Sequence, residues 1–149
     1  MFNCFMPAPK ACCSSLSFML HGIGTDIIDV PRIKHSFDEY GERFLKRVFT
    51  ETEIAYCDHF GETRFLHYAA RFAAKEAFSK AIKLGMREGM AFKLVGVKNL
   101  PSGEPVIELF GAMAERWSNH AIHVTLSHTA SIGLAVVVIE EPSNSHSPQ

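Results

Sequence analysis

ETRFLHYAARFAAKEAFSKAIKL, residues 62–84, is the longest helical pattern in the chain, and Gly85 stands just beyond it as a C-terminal cap. Ala70, Ala74, Ala77 and Ala81 fall in one narrow stripe, which lets a second backbone approach closely. Phe72, Glu76, Ser79 and Lys80 fall on a different face, where Glu76 and Lys80 are i,i+4 neighbours. Arg71 and Lys75 make a second such pair, with Ile82 near them.

Upstream, His21–Val30 reads as a strand carrying Ile23, Ile27 and Ile28, with glycines at 22 and 24. Asp29 suits an N-cap and Pro31 the first turn of a helix over 31–40, whose apolar face is Ile33, Phe37 and Tyr40. Gly41 ends or bends it. Thr50 with Glu53 matches a capping box and starts a short helix at residue 51. Downstream the character changes. Phe92–Lys98 alternates like a strand, Asn99–Pro105 is a turn, and Val106–Phe110 is the partner strand. A short helix over 111–119 and two strands, Ala121–Ser127 and Gly133–Glu140, follow. The pattern predicts an α+β fold: one small domain over residues 21–141, with a long central helix packed on a mainly antiparallel sheet. Residues 1–20 hold a single charged residue, Lys10, with Pro7 and Pro9 breaking any helix. They lack the order of a signal peptide and are expected to be a disordered extension. Residues 142–149 read as a disordered Ser/Asn/Pro-rich tail.

Composition narrows the function classes. At 149 residues the chain is one domain long. Its net charge of -1 provides no global field for nucleic acid or an anionic membrane. No apolar run reaches the ~18 residues of a membrane span. The four cysteines, Cys4, Cys12, Cys13 and Cys57, lack zinc-ligand spacing and a disulfide pattern, which implies a reducing, cytoplasmic compartment.

Three places carry candidate chemistry. Asp26 is an acid inside an apolar strand, either a strand-end turn cap or a buried carboxylate that needs a cation. Glu76 sits among Ala and Phe, either pairing with Lys80 on a solvated face or meeting an ion. Two carboxylates without a neighbouring Cys or His suit a hard ion such as Mg²⁺, with Lys75 and Lys80 left to neutralise phosphate oxygens. Ser127-His128-Thr129 at a strand end offers three polar groups for a phosphate, or simply a turn with hydroxyl-to-backbone bonds. No G-x-S-x-G elbow is present. Gly22-x-Gly24 lacks the rest of a dinucleotide fingerprint, and Gly85 and Gly89 make no phosphate loop. His120 and His123 point to opposite faces and form no zinc pair. From Arg32 to Arg47 bases outnumber acids, which fits a solvated helix surface or a docking face for an acidic protein.

Taken together, GIGTDII at 22–28, RFAAKEAFSK at 71–80 and SHT at 127–129 resemble the holo-[acyl-carrier-protein] synthases, small 4'-phosphopantetheinyl transferases. Phe72, Lys75, Glu76, Ala77 and Lys80 fit the superfamily's aromatic-x-x-Lys-Glu-Ala-x-x-x-Lys pattern, and the likeness runs from residue 21 to about 141. The resemblance implies the 4'-phosphopantetheinyl transferase fold and transfer of phosphopantetheine from coenzyme A to a serine of an apo acyl carrier protein, with 3',5'-ADP leaving. It implies Mg²⁺ held by Asp26 and Glu76, catalytic roles for Glu76, Lys80 and His128, and coenzyme A contacts from Arg71, Lys75, Lys80, His128 and Thr129. Arg32 would meet the carrier, and the protein would be a homotrimer with active sites between subunits. Three candidates stand for removal of the serine proton: Glu76 through a metal-bound water, such a water itself, and His128. The rival readings are a non-catalytic carrier-binding module and a coenzyme A-binding regulatory domain. Retention of both Asp26 and Glu76 argues against the first, and the basic first helix against the second.

Overall fold

A computed structural model describes residues 19–84 and 91–141. Residues 1–18, Gly85, Gly89 and the 142–149 tail, on which several expectations fall, lie outside the described residues. Strand β1 (Leu20–Asp29) leads into helices α1 (Val30–Tyr40), α2 (Glu42–Val48) and α3 (Glu51–Asp58). The long helix α4 (Arg64–Ala81) follows, then the hairpin β2 (Val95–Asn99) and β3 (Pro105–Leu109). Helix α5 (Gly111–Trp117) and strands β4 (Ala121–His128) and β5 (Ile132–Glu140) complete the order. The strands form a three-stranded sheet in the order β1-β5-β4 and a two-stranded sheet of β2 and β3, all antiparallel. The expected α+β architecture is present.

Helix α4 lies on the inner face of the larger sheet. Ala69, Ala73, Ala74, Ala77 and Ala81 are fully buried there, against Ala135, Val137 and Ile139 of β5. The close approach expected of the alanine stripe is made by glycines. A Cβ on Gly22 would stand 2.1 Å from the Ala81 carbonyl oxygen, and one on Gly24 would stand 2.0 Å from that of Ala77. The Gly22-x-Gly24 pair is thus a packing seam between two backbones. Strand period places Gly22, Gly24, Asp26 and Ile28 on one face of β1, so the seam carries Asp26 to α4.

Three expectations are corrected, and one stretch gains an element of its own. Asp29 occupies the N-cap of α1, but its side chain makes no capping hydrogen bond. The basic stretch after Gly41 forms a further helix, α2, which buries Leu45 and Val48. Helix α4 begins at Arg64 and stops at Ala81, with Lys83 in the left-handed region at φ 60°. Residues 92–94 are a 3-10 turn, so β2 begins only at Val95. The capping box at Thr50 and Glu53 is present in full.

Candidate active site

Asp26 from β1 and Lys80 from α4 meet at one end of the glycine–alanine seam. Lys80 Nζ donates to Asp26 Oδ1 at 2.7 Å and to the Thr25 carbonyl oxygen at 2.9 Å. The Asp26 side chain keeps only 17% of its exposure, so the ammonium faces a carboxylate with little water of its own. Glu76 lies one turn N-terminal of Lys80 on α4. Burial raises its carboxyl above the usual range, and the negative charge of Asp26 raises it further; Lys80 and Arg32 oppose this. Asp26 and Glu76 are therefore near neighbours of like charge, in a partly dry setting with two cations beside them. That is a donor set of hard oxygens whose mutual repulsion a divalent cation relieves, so the residues fit Mg²⁺. Arg32 is exposed on α1, as a docking residue requires, yet its charge also reaches Glu76.

The serine–histidine–threonine segment closes β4. His128 is exposed, and its ring meets that of His67 edge-on at 5.7 Å. His67 in turn stacks on Phe60 at 3.7 Å. Burial first, then Arg71 and His128, hold His67 below the usual imidazole range. The Thr129 hydroxyl accepts from the backbone N–H groups of Ser131 and Ile132, so part of the turn reading holds there. As a donor it has no partner among the described residues.

Arg71 and Lys75 face the interior. Arg71 is 2% exposed, lies over the Tyr56 ring at 3.9 Å and donates to Asn99 Oδ1 at 2.6 Å. Its buried Nε has no partner among the described residues. Lys75 is corrected outright. It is fully buried, paired with Glu53 Oε2 at 2.8 Å, and donates to the carbonyl oxygens of Phe92 and Val95. All three ammonium protons are used inside the protein, so none is left for a phosphate. Glu53 completes the core pair by accepting from Thr50 N at 2.8 Å and Val97 N at 2.9 Å. Its sequence signal was the capping box, which reveals one of these partners. His67 had no signal at all: a lone histidine on a helix, placed beside His128 only by the fold.

The chain as a whole is similar to known proteins. The model of the 4'-phosphopantetheinyl transferase superfamily matches residues 22–137. The chain belongs to that superfamily. Holo-[acyl-carrier-protein] synthase of Sinorhizobium medicae is 43% identical over 129 residues, 82% of this chain and 92% of the relative. Among solved structures, holo-[acyl-carrier-protein] synthase of Neisseria meningitidis superimposes with a TM-score of 0.75 at 32% identity, covering 83% of this chain and all of the other. The Bacillus anthracis synthase, solved in complex with CoA (3',5'-ADP), gives 0.71 at 33% identity, covering 83% and 98%.

Proposed function

We propose that this chain transfers the 4'-phosphopantetheine group of coenzyme A to a serine hydroxyl of an apo acyl carrier protein and releases 3',5'-ADP. The observation that carries it is the Asp26–Lys80 pair at the β1–α4 seam, within the electrostatic reach of Glu76, in a chain whose relatives are holo-[acyl-carrier-protein] synthases. Asp26 and Glu76 would hold Mg²⁺, which when bound offsets the charge of the diphosphate oxygens. Lys80 is 53% exposed, so its ammonium reaches a phosphate while staying near Asp26. The serine oxygen attacks the phosphorus that carries the pantetheine arm, and the P–O bond to the 3',5'-ADP leaving group breaks. Glu76 takes the serine proton through an intervening water. Such transfer rests on alignment and charge neutralisation more than on covalent chemistry. His128, the free donor of Thr129 and the neighbouring Arg71 charge serve a further phosphate of the coenzyme. Arg32, exposed beside this centre, meets the carrier.

Assembly is part of the reading. The outer face of the larger sheet presents Ile23 at 62% and Ile27 at 61% exposure, next to Leu134, Val136 and Val138 of β5. A homotrimer that buries this face, with coenzyme A between subunits, accounts for it. A reducing cytoplasmic setting suits the buried, unpaired Cys57, whose thiol burial pushes up to about 12. Among the described residues no helix is long and apolar enough to cross a membrane.

The test is the intact mass of an apo acyl carrier protein incubated with this protein, coenzyme A and Mg²⁺, with and without chelator. A chelator-sensitive gain of one phosphopantetheine group is expected. No gain across several carriers, with coenzyme A still bound, would overturn the transferase reading in favour of a binding module.

A further inference from the structure

At the opposite end of β1 a second group of side chains converges. His21 from the start of β1, His120 from the link between α5 and β4, and Glu141 just after β5 bring one ligand atom each to within 4.8 Å of one another. Sheet register makes the convergence inevitable. Glu140 stands opposite Leu20 on one side and Ala121 on the other, and Glu141 N donates to the Met19 carbonyl oxygen at 2.8 Å. From His21 to Asp26 is about 16 Å of strand at ~3.3 Å per residue, so this group is separate from the acidic pair.

Hydrogen bonding accounts for only part of the geometry. His21 Nδ1 and Glu141 Oε1 are 2.7 Å apart. His120 Nε2 stops 3.8 Å from Glu141 Oε2, too far for a hydrogen bond. Its Nδ1 is buried with no partner among the described residues. An imidazole whose side chain is 14% exposed thus makes no hydrogen bond through either nitrogen to the described residues. Its ring is held by Trp117 and His21, both at close aromatic distance, with Nε2 turned toward the carboxylate. Two ligands of one tetrahedral ion, each about 2.0–2.1 Å from it, stand roughly 3.4 Å apart. To seat such an ion the 3.8 Å gap closes slightly, the 2.7 Å His21–Glu141 contact opens, and the widest separation, within 4.8 Å, closes by at most about 1.4 Å.

We propose that His21, His120 and Glu141 form a binding site for a divalent transition-metal ion of the zinc class, with water in the fourth position. Two imidazoles and one carboxylate select such an ion over Mg²⁺, which prefers oxygen ligands. The ion would be structural. It ties the first residues of β1, the entrance to β4 and the chain after β5 into one clasp. Lys83 is the nearby cation acting on Glu141, and the ion must compete with it.

Co²⁺ is the probe, because its visible absorption is strong only in tetrahedral or five-coordinate sites. The full chain carrying Cys4→Ser, Cys12→Ser and Cys13→Ser is titrated, so that no terminal thiol contributes. One equivalent of intense visible absorption, displaced by Zn²⁺ and accompanied by a higher melting temperature, is expected. His120→Ala and Glu141→Gln should each weaken binding at least tenfold, and Asp26→Asn should leave it unchanged. Glu141 is exposed, so its variant tests the site even where His120→Ala fails to fold. Absent absorption, or absorption that survives both substitutions, would overturn the site and leave a plain histidine–carboxylate contact.

Discussion

Replacing Lys75 by Met separates a core role from a coenzyme role. The substitution keeps most of the side-chain stem but removes the ammonium from a fully buried pair with Glu53, leaving the carboxylate with only Thr50 and Val97 as donors. Breaking a buried pair from one side costs about 3–5 kcal/mol. For a domain of this size each kcal/mol moves the melting temperature by about 2–4 °C, so a fall of roughly 6–20 °C follows. Glu53→Gln combined with Lys75→Met removes both charges and should recover to within about 2 kcal/mol of the parent, since well-packed neutral replacements of buried pairs are often tolerated. Urea unfolding measures the stabilities, and calorimetry at a temperature where the variants remain folded measures coenzyme A affinity. Affinity in the double variant should match the parent, whereas Lys80→Met should lose it. A Lys75→Met protein that unfolds within about 1 kcal/mol of the parent, the scale of an exposed ion pair, would refute the buried-pair reasoning. So would a coenzyme A defect as large as that of Lys80→Met.

Glu76→Gln should abolish transfer yet raise the melting temperature near pH 7 when no divalent cation is present. The folded chain binds the Glu76 proton more tightly than the unfolded chain, so stability falls as pH rises from the ordinary carboxyl range through the raised value. The gain in the variant should therefore vanish at pH 4, and a gain independent of pH would show that Asp26 and burial are not its cause. Gly24→Ala forces a Cβ to 2.0 Å from the Ala77 carbonyl oxygen, which should cost about 2–3 kcal/mol or more in chemical denaturation and lower transfer by displacing Asp26 from Lys80. Arg32→Glu should weaken carrier binding more than coenzyme A binding in calorimetry. An equal loss of both would place Arg32 at the nucleotide instead.

Local pattern carried the long helix, the capping box at Thr50 and the strand that holds Asp26, because each depends on neighbours within a few residues. The acidic pair was legible as well, since an acid amid apolar residues signals a demand for a partner wherever it sits. What failed was direction. Spacing shows that Arg71 and Lys75 share a helix face, but the inward turn of that face depends on Glu53, on the preceding helix α3. A helical surface was expected over Arg32–Arg47, but the separate helix α2 was not delimited, because only Leu45 and Val48 of its residues are buried. The zinc-class cluster was invisible for the same reason. His120 was weighed against His123, its neighbour in sequence, whereas its companion in space is His21.

The pairing of β1 with β5 has a consequence for synthesis. Among the described residues the first strand finds its hydrogen-bonding partner in the last one, from Leu20 against Glu140 to Asp29 against Ile132. A chain leaving the ribosome holds Asp26 and Glu76 long before the strand that seats β1 exists. Closure of so long a loop comes late in folding and keeps apolar edges open meanwhile. Strand β1 thus stays without its partner until β5 has emerged, and a premature stop inside β5 leaves Asp26 as poorly seated as a break in β1 itself would.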